Sequence, residues 1–228
     1  MRLRHGQLFR IKTAVLSSNE PTAMGENLIN CNIIEEPIAH LAGYAQIPMY
    51  FEVVSVFDIV VDNRGLGGLV LLERRLDEPW TKDYDAIDGE GPTEWAKRWD
   101  VSNWGLLSAF CDGERIGGCA LAYDTNGVNM LEGRKDMVVL WDLRVHPGYR
   151  GQGIGSQLWE TAVSWAKARK CRLLKVETQN INVPACRFYA RQGCELGEIN
   201  RFAYTDFPDE VQLIWYLQLD DPAEKGDK

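Results

Sequence analysis

Apolar positions recur along this chain at two spacings, and the switches between them outline strands and helices. Residues 50–61 (YFEVVSVFDIVV) are rich in β-branched and aromatic side chains and predict a strand. Asp62, Asn63, Arg64 and Gly65 signal a turn, and residues 66–76 (LGGLVLLERRL) predict the returning strand. WGLLSAF (104–110) and RIGGCALAY (115–123) flank an Asp-Gly turn and predict a hairpin. MVVLWDLRV (137–145) predicts a buried strand. In SQLWETAVSWAKARK (156–170), Leu158, Ala162, Trp165 and Ala166 fall on one helical face. LLKVETQ (173–179) predicts a strand. Pro184 opens, and Gly193 closes, a helix over ACRFYARQ. Residues 194–205 and 210–219 predict two last strands, and Val211, Leu213, Trp215, Leu217 and Leu219 alternate onto one face.

The remaining stretches are less periodic. Residues 1–30 show no pattern, with a short helix expected over 33–41. Residues 77–94, polar and acidic with two prolines and two glycines, predict a loop or short helices. The order of elements predicts one mixed α/β domain over residues 50–220, an N-terminal arm over 1–49, and a charged tail over 221–228.

Composition narrows the function. The chain has 228 residues, 45% apolar and 25% charged, with a formal net charge of −8. That balance points away from nucleic acid and toward a cationic partner. No apolar run is long enough to span a membrane. The six cysteines and three histidines lack metal-ligand spacing, so no metal is expected, and the cysteines read as reduced thiols in a cytoplasm. The exposed face of the last strand could pair with a second chain as a homodimer.

The strongest chemical signal is HPGYRGQGIG (146–155), a glycine-rich turn between a strand and a helix. A helix N-terminus offers unpaired N–H groups and partial positive charge, glycines let a phosphate approach the backbone, and Arg150 adds a charged fork. On these residues alone, a diphosphate cradle and a tight turn capping the helix both remain open. The G-x-G-x-G spacing matches neither the dinucleotide fingerprint nor the P-loop. Farther on stand Asn182, Ala185, Phe188, Tyr189 and Gly193.

These two motifs, with Val145 and Pro147, resemble the GNAT-superfamily N-acetyltransferases over residues 104–219. The stretch ETQNINVPACRFYARQGCELG, with FEVVSVFDIVVDN and the PW-x-K-x-Y segment (79–84), looks like the streptothricin acetyltransferases. Cys194 stands where the family usually has phenylalanine, which implies local repacking. The resemblance implies an α+β fold with a mostly antiparallel mixed sheet flanked by helices and a splayed strand pair. It implies acetyl-coenzyme A as cosubstrate, held by Leu143, Val145, Arg150, Gly151, Gln152, Gly153, Ile154, Gly155, Ser156, Asn182 and Phe188. Tyr189 sits at the position of the general acid.

Asp142 and Glu177 are the candidate bases, Asp142 standing first, and a water chain could replace either. Each also has a structural reading, as a hydrogen-bonded or ion-paired carboxylate. Arg144 reads as a surface residue. Trp80, Tyr84 and Asp85 are expected to line a pocket for a cationic amine, unless the acidic loop is simply solvated. The activity implied is acetyl transfer to a primary amine of a streptothricin-like small molecule by direct attack. A protein lysine or N-terminal acetyltransferase and a non-catalytic coenzyme A-binding module are the alternatives.

Overall fold

The computed structural model describes residues 32–219. The expected arm over 1–31, Cys31, and the tail from residue 220 lie outside the described residues. Nine strands and four α-helices are described: β1 (Asn32–Glu36), α1 (Leu41–Tyr44), β2 (Tyr50–Asp62), β3 (Gly68–Asp83), α2 (Pro92–Arg98), β4 (Gly105–Cys111), β5 (Glu114–Tyr123), β6 (Met137–Val145), α3 (Ile154–Ala168), β7 (Leu173–Gln179), α4 (Val183–Arg191), β8 (Glu195–Asn200) and β9 (Gln212–Gln218).

Seven strands form one sheet in the order β1-β4-β5-β6-β7-β9-β8. Only β6 and β7 pair in parallel. Helices cover both faces, so the central strands are apolar on both sides, as in LLSA of β4 and the buried run of β5. On one face α3 buries Leu158, Trp159, Ala162, Trp165 and Ala166 against β4 to β7. On the other, Leu41, Tyr44 and Ile47 pack with Trp95 and Trp104. Each fully buried Leu or Ile on these faces contributes roughly 1.5–3 kcal/mol. The expected mixed, mostly antiparallel sheet with flanking helices is therefore present.

Three elements differ from expectation. Residues 32–36 form an edge strand paired with β4, not part of a helix over 33–41. The open edge of β4 offers a partner that five residues alone cannot announce, and Pro37 ends the strand. Leu41, Tyr44 and Ile47, all assigned to the arm, lie in the core. The second difference is β3, which runs through Asp83 into the expected acidic loop, opposite Tyr50–Val53. Register slips between Val53 and Ser55, where Leu76 to Pro79 face only Val54. Pro79, lacking an N–H, sits in that irregular stretch. The third is β8, which stops at Asn200 rather than 205.

The β2–β3 hairpin forms its own two-stranded sheet. It docks beside the end of β7: the Phe57 N–H donates to the Asn180 carbonyl (2.9 Å), and Asn180 Nδ2 donates to the Phe57 carbonyl (3.1 Å). Val53 and Val56 pack on Ile181.

Candidate functional site

β6 and β7 pair only over Met137–Leu140 and Leu173–Val176. Beyond them β6 continues with β5 to Val145, and β7 continues with β9 to Gln179. A bulge at Trp141, where Ala120 opposes Asp142 but Leu121 opposes Leu140, bends β6 at the parting point. The result is a wedge opening into a cleft of about 990 Å³. The His146 N–H donates to the Ile116 carbonyl. Because bonded and non-bonded pairs alternate in an antiparallel ladder, the amides of Leu143 and Val145 point away from β5, into the wedge.

The glycine bend follows at the mouth of the wedge. Gly151 (φ 75°) and Gly153 (φ 82°) take left-handed conformations that L side chains rarely adopt. The turn leads directly into α3, which starts at Ile154, two residues before the predicted start. Among the described residues, the N–H groups of Gly151, Gln152, Gly153, Ile154, Gly155 and Ser156 have no acceptor; the first amide bonded in the helix is that of Gln157, to Gly153. At Gly155 an added Cβ would come into ordinary contact with the Phe188 ring at 3.6–3.7 Å and Val145 at 4.0 Å. Donors without acceptors, a helix N-terminus and an adjacent arginine fit a diphosphate. Arg150 Nε donates to the Val145 carbonyl (3.0 Å), leaving the outer guanidinium nitrogens toward solvent beside the Tyr50 ring.

Most of the expected residues line the cleft: Leu143, Val145, Arg150, Gly151, Gly153, Ile154, Gly155 and Ser156 from the bend side, and Asn182, Phe188 and Tyr189 from α4. Gln152 does not; its amide side chain folds back onto the Gly148 carbonyl (3.2 Å). Asn182 Oδ1 caps α4 by accepting from the Ala185 N–H (3.2 Å), and its side chain also reaches the Tyr84 hydroxyl. Phe188 and Tyr189 pack edge-on to each other and against Trp159. Tyr189 is 7% exposed, and its hydroxyl has no hydrogen-bond partner among the described residues. Burial pushes that hydroxyl well above the ordinary tyrosine range, so it stays protonated.

The two carboxylates differ. Asp142 Oδ1 accepts from Tyr44 Oη (2.5 Å) and Arg144 Nε (3.0 Å), and Oδ2 accepts from Arg144 Nη2 (3.1 Å) and Nε (3.1 Å). These contacts occupy its lone pairs. Arg144 is a correction: expected at the surface, its side chain is 3% exposed, because residues 142 and 144 face the α1 side of a sheet covered on both faces. Glu177 Oε1 accepts from Tyr204 Oη (2.6 Å), and Oε2 accepts from Gln212 Nε2 (2.7 Å), at the cleft wall. Gln179 joins this group, donating to Tyr204 Oη (3.0 Å) and accepting from Tyr84 Oη (2.5 Å). Burial pushes the Tyr84 and Tyr204 hydroxyls up.

Of the residues expected to bind substrate, only Tyr84 lines the cleft. Trp80 is 43% exposed, carried up the hairpin by the unexpected length of β3. Asp85 lies behind the wall, bonded to Arg144 Nη1 (2.7 Å) and the Met49 N–H (2.7 Å). The acidic stretch supplies one of the cleft's carboxylates, Glu90; the others are Asp142, Glu177, Asp206 and Glu210, the last paired with buried Lys82 at 2.5 Å. The sequence reading missed the segment of residues 203–210 and the Met49–Tyr50 wall; two aromatics, Tyr204 and Phe207, in a polar turn were the available signal.

Among the described residues no group of His, Cys, Asp or Glu could hold a metal, and no helix is long and apolar enough to cross a membrane. The described cysteines are free thiols. Burial pushes Cys186 up to about 11 and Cys194 up to about 12, the state of unreactive thiols.

Comparison with known proteins agrees with this geometry. Streptothricin acetyltransferase of Escherichia coli is 31% identical over 170 residues, covering 73% of this chain and 84% of that protein. Streptothricin acetyltransferase A of Bacillus subtilis (strain 168) is 29% identical over 149 residues, covering 64% and 78%. The crystal structure of a nourseothricin acetyltransferase has the same fold, with a TM-score of 0.65 at 22% identity over 83% of this chain and 99% of that one. So does a Bacillus anthracis str. Ames protein provisionally described as a streptothricin acetyltransferase and solved with acetyl coenzyme A, with a TM-score of 0.63 at 22% identity over 83% and 99%. The model of the acetyltransferase (GNAT) family matches residues 69–194, more than half of the 228 residues, and the chain belongs to that family.

Proposed function

We propose that this protein transfers the acetyl group of acetyl-coenzyme A to a primary amine of a cationic small molecule of the streptothricin type, by direct attack in a ternary complex. The observation that carries the reading is the row of acceptor-free amides from Gly151 to Ser156 beside a wedge whose β6 edge also presents free amides. In this reading the bend and Arg150 hold the diphosphate, with Gln152 contributing its backbone N–H. The Leu143 and Val145 edge and Asn182 Nδ2 take the amide-rich arm, and Phe188 packs beside it. The Val145 N–H polarises the thioester carbonyl.

An alkyl ammonium ionises near pH 10.4, so only about one molecule in a few thousand is a nucleophile at pH 7. Glu177, directly or through water, is the better base, because Asp142 is held in an ion pair with Arg144 whereas the hydrogen-bond partners of Glu177 are neutral. Tyr189, protonated and unpartnered, delivers a proton to the departing thiolate. The relatives named for streptothricin support the choice of acceptor. The carboxylates of Glu177 and Asp206 at the cleft, and the net charge of −8, suit a polycation. The test is thiol release from acetyl-coenzyme A with streptothricin, followed by mass measurement of the product. A mono-acetylated product supports the reading. No release above background with streptothricin, alongside acetylation of protein lysines or N-termini, overturns it.

A further inference from the structure

The two walls that meet at the acetyl-transfer point belong to different parts of the chain. One is β6, whose Val145 amide faces the wedge. The other is the base of the β2–β3 hairpin, where Met49, Tyr50 and Tyr84 line the cleft. Nothing in the sheet's hydrogen bonding joins them, because the hairpin is a separate sheet.

A chain of charged contacts does join them, buried at Arg144 and Asp142 and reaching the surface at Asp85. Arg144 lies between Leu143 and Val145 and points to the opposite face. Its Nε and Nη2 grip Asp142 on the same strand. Its Nη1 donates to Asp85 Oδ1 (2.7 Å) and to the Ile47 carbonyl (3.0 Å). Asp85 Oδ2 in turn accepts from the Met49 N–H (2.7 Å), and the Met49 carbonyl accepts from the Tyr84 N–H (3.0 Å). On the far side of the wedge, Tyr84 Oη donates to Gln179 of β7 (2.5 Å). The hairpin base therefore spans both arms of the wedge.

We propose that Asp85 and Arg144 are positioning residues: they pin the acceptor-side wall to the strand presenting the Val145 amide, and so set where the amine sits relative to the thioester. Asp85 acts through Arg144 and the Met49 amide without touching substrate. Arg144 is suited to this because a planar guanidinium reaches two carboxylates and a carbonyl at once, which a lysine cannot do. The proposal rests on the acetyl-transfer reading above for its kinetic consequences, but not for the pinning itself.

The experiment compares the wild type with Asp85→Asn, Arg144→Lys and the double variant, using streptothricin and acetyl-coenzyme A as substrates. Each single change weakens the Asp85–Arg144 link along with that residue's other contacts, so the KM for streptothricin should rise on the order of tenfold or more. The KM for acetyl-coenzyme A should stay within about twofold, since the diphosphate cradle is untouched. Because both residues act through one contact, the double variant should be no worse than the poorer single variant. In parallel, hydrogen exchange at the Met49 amide should quicken in Asp85→Asn. A purely structural pair would lower the melting temperature and leave the ratio of the two KM values unchanged. That result, multiplicative effects in the double variant, or unchanged Met49 exchange would overturn the proposal. If the wild type does not acetylate streptothricin, the acceptor assignment fails by itself, and Met49 exchange still decides the pinning.

Discussion

Replacing Tyr189 by phenylalanine removes one oxygen and little else. The ring is 7% exposed and is held by Trp159 at 5.5 Å and Phe188 at 5.1 Å between ring centroids. The hydroxyl makes no hydrogen bond among the described residues, so its loss strands no partner, and folding stability should change by less than about 0.5 kcal/mol. The catalytic consequence is larger. A positioned acid contributes about 10²–10⁴-fold, and a thiolate is a fair leaving group, so the low end applies: kcat should fall roughly 10²-fold, or about 2.7 kcal/mol. Affinity for coenzyme A should not change, because the diphosphate cradle lies on another element. Burial has already raised the tyrosine above its ordinary 10.0, so the proton stays in place through neutral and mildly alkaline pH. The wild-type kcat should therefore show no alkaline loss assignable to this residue below about pH 10. Continuous thiol detection gives kcat, and calorimetric titration gives affinity. A kcat within about threefold of wild type would refute the assignment of Tyr189 as acid, as would a parallel loss of coenzyme A affinity.

Three further outcomes are expected. Arg150→Ala loses a charge-assisted contact to phosphate, weakening coenzyme A binding by roughly 1.5–3 kcal/mol, and the remaining affinity should depend less on salt; titration at two ionic strengths checks both. In Gly118→Ala the new Cβ would lie 2.7 Å from the Leu107 carbonyl oxygen and 2.9 Å from the Tyr44 ring, both within the core. Destabilisation of about 1–3 kcal/mol should appear in urea unfolding, with a stability equal to wild type as the contrary result. Glu36 has burial acting to raise its pKa, but hydrogen bonds from His40 and Arg115 outweigh it and hold it below its ordinary 4.5. A depressed carboxylate stabilises the fold above about pH 4.5 and loses that contribution as pH falls below it, through the folded-state value. Glu36→Gln should therefore lower stability at pH 7 and flatten its decline toward pH 3, measured by denaturation across that range.

Local pattern carried the side of the site proposed to hold the phosphates. The glycines of the bend and the segment from Asn182 to Gly193 are read from neighbours in sequence, and the structure places them together at one cleft. The wedge itself was implied only by resemblance, since its cause is where two strands stop pairing, 36 residues apart in register from Leu140 to Val176. Arg144 was misjudged for a related reason. Strand alternation separates two faces but cannot say that both are covered, so a charged residue at every second position looked solvated. The short edge strand Asn32–Glu36 exists because β4 needs a partner, and nothing within five residues records that need. Trp80 and Asp85 were placed by the acidity of their stretch, whereas β3 extends through it and sends one to solvent and the other behind the cleft wall. The cleft wall proposed to take the acceptor, drawn from Met49, Tyr84 and Tyr204, is assembled by tertiary contacts across more than 150 residues of chain.

The central claim is that the amides from Gly151 to Ser156 are kept free to grip a diphosphate, and a crystal structure with bound acetyl-coenzyme A tests it most directly. The account predicts diphosphate oxygens within about 2.7–3.2 Å of several of these N–H groups, with the acyl group in the wedge beside the Val145 amide. Coenzyme A bound elsewhere, or these amides turned onto acceptors within the protein, would contradict it.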